Sequence, residues 1–358
     1  MTEPLLRVSG LKKHFPVESG LWPEIRNAVQ GRAPDAVHAV DGVSFDISQG
    51  ETFGVAGESG CGKTTLGMLL TKLYSPTAGE IYYDGQNVAE VEGKNIRQFR
   101  RNVQMIFQDP FESLNPRMTV YDTVVEPLRI HDISNQRPRV RRALEFAELE
   151  PAEAYFDQYP HELSGGQRQR LAIARALVID PDFIVADEPV SMLDVSLRAG
   201  VLSLLDRLTD EFGLSVVYIS HDLSLLRHMC DRLAVMYMGR IVEQGSTEDV
   251  VEHPKHPYTQ ALIDAVPVPD PAAGRERVEL AGEVGDAIDV PSGCRFKNRC
   301  EEYLGPVCDE VAPPPERKAD DAVSDDRTVA CHLYESAEGF DPHTQVDDSN
   351  TAESATQD

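Results

Sequence analysis

An α/β fold built on a mostly parallel sheet is predicted by three observations. Short apolar runs recur along the chain, and several of them end in polar residues. Segments with apolar residues at helical spacing stand between these runs. One run, Thr52–Ala56, passes directly into the glycine-rich segment Gly57–Thr65 and then into a helical pattern through Leu66 and Leu73. Strand–loop–helix units of this kind build parallel sheets with crossover helices.

The composition bounds the class of protein. The 358 residues include 34 basic and 60 acidic side chains, for a formal net charge of −26. This charge excludes a general nucleic-acid binder, which needs a basic face to neutralise phosphates. An acid excess along the whole chain is typical of a protein that works in concentrated salt, with an ordinary acidic cytosolic protein as the alternative. We expect no signal peptide and no membrane span, so that any link to a membrane runs through another subunit.

The N-terminal part reads as an antiparallel β subdomain. Residues 5–15 and 40–47 alternate between apolar and polar side chains, as half-buried strands do. Residues 16–37 hold Gly, Pro and Trp22 without periodicity and are interpreted as a loop insertion. Residues 81–83, followed by Asp84-Gly85, indicate a further strand and turn.

The glycine-rich segment predicts a phosphate-binding loop, because it stands between a strand and a helix in the GxxxxGK[ST] pattern. Its glycines leave room for main-chain N–H groups to face β- and γ-phosphates. Lys63 offers a point charge to these phosphates, Thr64 a hydroxyl to Mg²⁺, and Thr65 a contact to the α-phosphate. The predicted loop residues are Gly57, Glu58, Ser59, Gly60, Cys61, Gly62, Lys63, Thr64 and Thr65.

Three later strands deliver polar residues to the same sheet edge. Val103–Phe107 ends at Gln108, a candidate contact to Mg²⁺ or to the attacking water. The run 182–186 leads to Asp187, which would hold Mg²⁺, and Glu188, which would deprotonate that water. Residues 215–219 lead to His221, a candidate contact to the γ-phosphate.

A helical insert occupies about residues 111–162, with predicted helices over Val120–Ile130 and Arg139–Leu149. Ser164 follows as a good N-cap for the next helix, and Gly165 and Gly166 let a ligand approach the main chain. A helix start with free N–H groups suits a phosphate.

Together these motifs resemble the ATP-binding subunit of an ABC transporter, in the order and approximate spacing of that family, over residues 5–265. The stretch Gln108–Arg117 and the run His256-Pro257-Tyr258 resemble the oligopeptide/dipeptide importer branch. The resemblance implies a P-loop NTPase fold with a mostly parallel sheet core, an antiparallel β subdomain, a helical insert and a small Cys-containing C-terminal extension. It also implies an ATPase with ATP and Mg²⁺ as cofactors.

The resemblance assigns further roles. Phe15 would stack on adenine, with His14 and Trp22 as alternatives. Gln108 would couple the site to the membrane subunits, and Ser164, Gly165, Gly166 and Gln167 would grip the γ-phosphate bound to a second ATPase subunit. The implied partners are a homologous ATPase subunit (a heterodimer rather than a homodimer), two transmembrane permease subunits over the insert, and indirectly an external solute-binding protein. The place of action would be the cytoplasmic face of the membrane.

Two questions stay open at this point. Dipeptides, oligopeptides, nickel and some sugars are solutes of this importer branch. The alternative function is a soluble ABC-type ATPase of DNA repair or translation. It lacks support, because no long coiled coil fits between residues 66 and 162, only one cassette is present, and the chain is acidic.

The chain beyond residue 265 divides into an extension, 266–335, and a disordered acidic tail, 336–358. The extension holds four cysteines without the paired C-x-x-C spacing of zinc ribbons. The resemblance suggests a [4Fe–4S] cluster, and structural zinc or free thiols are the alternatives. The cysteines are Cys294, Cys300, Cys308 and Cys331.

Overall fold

The computed structural model of the chain describes residues 3–17, 36–265, 288, 290–317 and 327–334. Trp22, most of the 16–37 insertion and the 336–358 tail lie outside these residues. In the described part, no helix combines the length and the apolar character that crossing a bilayer requires.

The first sheet is antiparallel and has the strand order β2-β1-β4-β5. Its strands are β1 (Leu6–Pro16), β2 (Ala36–Ile47), β4 (Ala78–Tyr83) and β5 (Gln86–Asn87). Alternating residues of β1 and β2, such as Leu6 and Ile47, are fully buried, as their alternation predicted. The predicted antiparallel subdomain is therefore confirmed, and β2 begins four residues earlier than the alternation indicated.

The second sheet has eight strands in the order β11-β12-β10-β9-β3-β8-β7-β6. Strands β9, β3, β8, β7 and β6 run parallel, as predicted, and form the centre of the molecule. Their bounds are β3 (Thr52–Ala56), β6 (Val103–Ile106), β7 (Phe183–Asp187), β8 (Ser215–Ser220) and β9 (Arg232–Tyr237). The antiparallel edge strands are β10 (Arg240–Ser246), β11 (Glu316–Arg317) and β12 (Thr328–Val329).

The helices lie between and around the sheets. In chain order they are α1 (Lys63–Leu70), α2 (Gly93–Asn102), α3 (Pro110–Ser113), α4 (Val120–Ile130), α5 (Gln136–Phe146), α6 (Gly165–Leu177), α7 (Val195–Phe212), α8 (Leu223–Met229), α9 (Thr247–Glu252), α10 (Pro257–Asp264) and α11 (Pro306–Glu310).

The helical insert has its own core, in which α4, α5 and α6 pack together around residues such as Val124 and Leu144. Helix α4 has the predicted bounds. Helix α5 begins and ends three residues earlier than predicted. It ends at Phe146 because Glu148 takes a left-handed conformation (φ 57°) that stops the helix. Leu149 is nevertheless buried, which explains why its apolar side chain looked helical in the sequence.

The extension joins the second sheet. Its strand β12 pairs with β10, in the register Glu243 to Val329. Arg327, just before β12, is buried with Glu243 and forms an ion pair of 2.6 Å with it. Because a buried unpaired charge is costly, this ion pair ties the extension to the rest of the chain.

Candidate functional site

A cavity of about 920 Å³ opens at the carboxyl end of β3, where the glycine-rich loop begins. It brings together residues that are far apart in the sequence, at the sheet edge that the motifs predicted. Its lining consists of Phe15, Val37, Ala39, Gly57, Glu58, Ser59, Gly60, Gly62, Lys63, Thr64, Thr65, Gln108, Glu188, His221 and Leu262.

The loop has a backbone that only glycine accommodates at two positions. Gly62 has φ 106°, and a Cβ atom there would lie 1.9 Å from the Ala39 carbonyl oxygen. Gly57 has φ 152°, and its Cβ would lie 2.2 Å from the Met236 carbonyl oxygen. The glycines therefore let the loop pack tightly against β2 and β9 while its other side faces the cavity.

The Lys63 ammonium lies at the centre of the loop. It donates hydrogen bonds to the Gly57 and Glu58 carbonyl oxygens, at 2.7 and 2.9 Å. The side chain of Cys61 is buried and does not line the cavity. Its N–H donates to the Glu58 carbonyl oxygen at 3.3 Å, so Cys61 contributes to the shape of the loop.

Glu188 lies where three strands end, and two side chains hold its carboxylate. Gln108 Nε2 donates to Oε2 at 3.0 Å, and His221 Nδ1 lies 2.9 Å from Oε1. The main chain of Glu188 has φ 44°, a left-handed conformation that is unfavourable for a residue other than glycine. Hydrogen bonds from Glu188 N to Ile219 and from Ser191 to the Glu188 carbonyl oxygen stabilise it. The strained turn points the carboxylate into the cavity.

Asp187 is 2% exposed, and its carboxylate offers oxygen atoms of the kind that bind metal ions. Its Oδ1 atom is buried without a hydrogen-bond partner. Burial raises the pKa of Asp187, with a smaller contribution from the neighbouring Glu188, whereas a hydrogen bond from Thr64 lowers it. A carboxylate with an unpartnered oxygen beside a threonine hydroxyl fits Mg²⁺, which prefers oxygen ligands.

Of the three aromatic candidates for an adenine contact, the structure brings Phe15 to the cavity. Its ring meets Tyr74 edge to face at 5.5 Å, and the Lys13 ammonium lies 5.0 Å from its centroid. His14 is engaged elsewhere, because its ring stacks on His38 at 3.9 Å.

His14, His38 and Asp41 have ligand atoms within 4.8 Å of one another, as in a metal site. The Asp41 carboxylate, however, also pairs with Arg240 at 3.1 Å and with the buried guanidinium of Arg295. A cation placed there would meet these positive charges, which disfavours binding of a metal.

The Ser164–Gln167 segment lies outside this cavity. Ser164 is exposed and caps α6: its Oγ accepts from Gln167 N at 3.3 Å, and its N–H donates to Gln167 Oε1 at 2.9 Å. This reciprocal pair is a capping box. The helix start is thus pre-formed at a surface separate from the chain's own phosphate loop.

The four thiols of the extension line one small cavity, together with His256 and Lys297 among other residues. Burial raises the pKa of Cys300 to about 11 and that of Cys331 to about 12. Burial disfavours the free thiolate, which argues against a reactive or redox-sensing role for free thiols at this site.

Comparison with known proteins identifies the family. A putative oligopeptide transport ATP-binding protein of Bacillus subtilis, YkfD, is 47% identical over 94% of this chain and 97% of its own length. The dipeptide transport ATP-binding protein DppF of Escherichia coli is 46% identical over 87% of this chain and 91% of its own length. This chain belongs to the ATP-binding proteins of ABC transporters. Residues 40–191 match the protein family "ABC transporter", and residues 242–308 match "Oligopeptide/dipeptide transporter, C-terminal region".

Solved structures support the same assignment. A cassette described as cbiO1 from Clostridium perfringens, part of an ABC transporter complex, has a TM-score of 0.58 and 27% identity over 70% of this chain and 92% of its own. The cassette MJ0796, described as a dimer bound to ADP and Pi, has a TM-score of 0.57 and 29% identity over 68% of this chain and 98% of its own. As a member of the family, the chain is an ATPase coupled to transport.

The sequence motifs missed several residues at or beside the cavity of this ABC ATPase. Val37 and Ala39 come from β2 and Leu262 from α10, and none of them belongs to a recognisable motif. Tyr258 of the run His256-Pro257-Tyr258 is fully buried, and its hydroxyl accepts the Glu58 N–H at 2.9 Å. In the sequence this run indicated only the importer branch, and the structure shows that its tyrosine contacts the phosphate loop.

Proposed function

We propose that this chain is the ATP-hydrolysing subunit that powers import of dipeptides, oligopeptides or similar small solutes through partner membrane subunits. The observation that carries the proposal is the cavity in which the phosphate loop, Phe15 and the Glu188 carboxylate face one another. The match of residues 242–308 to the oligopeptide/dipeptide transporter region, and the names of the relatives, support peptides as the solute class.

In the proposed site, Phe15 stacks on adenine and the loop residues 57–65 hold the phosphates. Thr64 and Asp187 would hold Mg²⁺, with Gln108 beside them, and the ion would supply positive charge opposite the charge that develops on the phosphates. Glu188 accepts the proton of the attacking water, since its carboxylate lines the cavity. Gln108 and His221 orient that carboxylate through their hydrogen bonds of 3.0 and 2.9 Å, and His221 also reaches the γ-phosphate.

We further propose that the exposed capping box at Ser164 binds the γ-phosphate held by a second ATPase subunit. The cavity contains its own phosphate loop and lacks Ser164 among its described lining, so this helix start is available to another nucleotide. Met192 and Leu197 are apolar and 63% and 41% exposed, and Leu197 lies beside Gly166, as expected of a surface that a subunit covers. A homologous partner is favoured over a second copy. The pair would bind two permease subunits at the helical insert, on the cytoplasmic face of the membrane.

The variant Glu188→Gln tests the catalytic assignment and the dimer together. We expect ATP hydrolysis to fall by about 100-fold or more, because the base is lost, while MgATP binding is retained. Light scattering should show a MgATP-dependent dimer when the homologous ATPase subunit of the transporter is added. Glu145→Gln is the matched control, because this glutamate lies on α5 in a surface ion pair with Arg141. Full activity of Glu188→Gln would exclude the base role, and an equally stable dimer without the partner would contradict the preference for a heterodimer.

We also propose that Cys294, Cys300, Cys308 and Cys331 hold a [4Fe–4S] cluster, which would cross-link residues 266–335 as a structural unit beside a 1–265 ATPase domain. Support comes from the common cavity of the four thiols. Four thiolates are also a ligand set of structural zinc, which is the alternative.

Metal analysis of the anaerobically purified full chain tests this cofactor. We expect about four iron and four sulfide per chain, and loss of both in Cys308→Ser. Cys230→Ala is the control, because this buried cysteine packs in the main core and lies outside the thiol cavity. Stoichiometric zinc, or neither metal, would contradict the proposal.

A further inference from the structure

The phosphate loop is joined to the C-terminal extension by a bidentate ion pair. Arg299 Nη1 lies 2.7 Å from Glu58 Oε2, and Nη2 lies 3.1 Å from Glu58 Oε1. The Arg299 side chain is 7% exposed and that of Glu58 25%, so water screens the pair only weakly. The two residues are 241 positions apart in the sequence. A two-point contact of this kind fixes the orientation of both side chains as well as their distance.

The position of Arg299 is itself fixed on the extension side. It ends the short turn Lys297–Arg299, which lies between Cys294 and Cys300. Phe296, just before the turn, packs against Tyr237 and Tyr258, with ring centroids 5.3 Å apart in both cases. The turn therefore lies between the thiol cavity and the side chains of Tyr237 and Tyr258, which are near the phosphate loop.

Glu58 is held at two points by elements that follow the ATPase motifs in the sequence. Its carboxylate pairs with Arg299, and its main-chain N–H donates to the Tyr258 hydroxyl at 2.9 Å. Its carbonyl oxygen accepts from Lys63 at 2.9 Å. A shift of Glu58 would consequently move the start of the loop and the lysine that binds phosphate.

The charge of Glu58 is unfavourable for the ligand of this site. Glu58 belongs to the cavity lining, so its carboxylate places a negative charge near the space where the triphosphate would bind. Two like charges in a partly buried site repel each other more strongly than in water. Arg299 neutralises this carboxylate and turns it toward the extension.

We infer that Arg299 is a positioning residue of the nucleotide site: through Glu58 it sets the conformation and the charge of the phosphate loop, so that an ordered extension is required for tight MgATP binding. The inference rests on the proposed role of this cavity as the MgATP site. It gives the extension a function in ATP binding, because the turn that carries Arg299 stands between two of the four thiols.

The test compares variants of the full chain, purified anaerobically. In Arg299→Met we expect the Kd for MgATP to rise about tenfold, the effect of losing one charge-assisted hydrogen-bonded contact. KM should rise in parallel, while kcat changes by less than about threefold, because Arg299 does not touch the reacting atoms. Arg299→Lys should give an intermediate Kd, since lysine keeps the charge and loses the two-point geometry.

The double variant Glu58→Gln with Arg299→Met separates electrostatics from general damage. It removes the carboxylate that Arg299 neutralised, so its Kd should fall back at least threefold from that of Arg299→Met. Glu310→Gln is the matched control: it removes an exposed charge from α11 of the extension, and Glu310 lies outside the described lining of both the thiol cavity and the nucleotide cavity. Its Kd should equal that of the wild type.

The outcomes distinguish the inference from the proposed function. A wild-type Kd for Arg299→Met, or equal losses in Arg299→Met and Glu310→Gln, would overturn the inference and leave the ATPase intact. A loss in Arg299→Met that the double variant does not recover would overturn the inferred effect of Arg299 on the charge of the phosphate loop. A wild-type chain that neither binds nor hydrolyses MgATP would contradict the proposed function itself.

Discussion

At the scale of single residues, the site contains groups whose environment is unfavourable for the folded chain. Glu188 adopts a left-handed main-chain conformation, and Asp187 buries a carboxylate with one unpartnered oxygen. Such groups cost free energy in the absence of a ligand and are found where a ligand compensates them. In this chain Asp187 is the last residue of β7 and Glu188 follows it, so both unfavourable groups lie at the end of one strand.

Asp187→Asn is expected to stabilise the chain and to impair the site. In EDTA without nucleotide, its Tm should rise by about 2–4 °C, because a neutral amide is buried at lower cost than a charged carboxylate. Addition of MgATP should raise the Tm of the wild type and leave that of Asp187→Asn nearly unchanged. Differential scanning fluorimetry measures both effects. Asp132→Asn, in which the side chain replaced is 79% exposed, is the control and should follow the wild type. A lower Tm of Asp187→Asn in EDTA would contradict the expectation.

The pH dependence of the wild type follows from the same carboxylate. Because burial raises the pKa of Asp187, its charge destabilises the folded chain at neutral pH, and this cost disappears as pH falls through the folded-state pKa. Protons and Mg²⁺ compete for the carboxylate. The affinity for MgATP should therefore weaken toward acidic pH, and Asp187→Asn should lack this part of the dependence.

At the scale of elements, the sequence predicted the strands and helices in which buried apolar residues recur at the spacing of a strand or a helix. Strand β7 and helix α4 were found because their apolar residues repeat at the expected spacing. Helix α2 was not, since Phe99 is its one buried residue, Ile96 is only partly buried, and the other residues are polar or glycine. Strands β11 and β12 have two residues each, which is too short to show any period, and they form because β10 offers an open edge.

The residues of the site also fall into those that the sequence predicted and those that only the structure shows. Residues in motifs, such as Lys63 and Glu188, were predicted because the chemistry of phosphate binding restricts residue type and spacing. Leu262, Tyr258 and Arg299 reach the site through contacts that span about 200 residues or more, and no local pattern encodes such a contact. Phe15 is an intermediate case: the family resemblance named it first, with its neighbour His14 as a weaker candidate, and the structure shows that His14 stacks on His38 at 3.9 Å instead.

At the scale of the whole molecule, buried ion pairs join the extension to both sheets. Arg295 pairs with Asp41 of β2, and Arg327 pairs with Glu243 of β10. Each pair has both side chains less than 10% exposed, so removal of one partner would leave a buried charge. These contacts, together with Arg299 on the phosphate loop, make the extension part of the folded ATPase.

The net charge of −26 leads to a prediction about salt. Repulsion among the acidic side chains destabilises the compact chain, and salt screens it: the Debye length falls from about 10 Å at 0.1 M to about 3 Å at 1 M. The Tm should therefore rise by about 5 °C or more between 0.1 and 2 M KCl, measured by circular dichroism. KCl is preferred to sulfate, because sulfate stabilises proteins by exclusion from their surface. Repeating the series near pH 5, close to the pI of about 4.7, provides the control, since most of the net charge is then lost and the rise should shrink. A Tm that stays constant or falls with KCl at neutral pH would contradict adaptation to concentrated salt and favour an ordinary acidic protein.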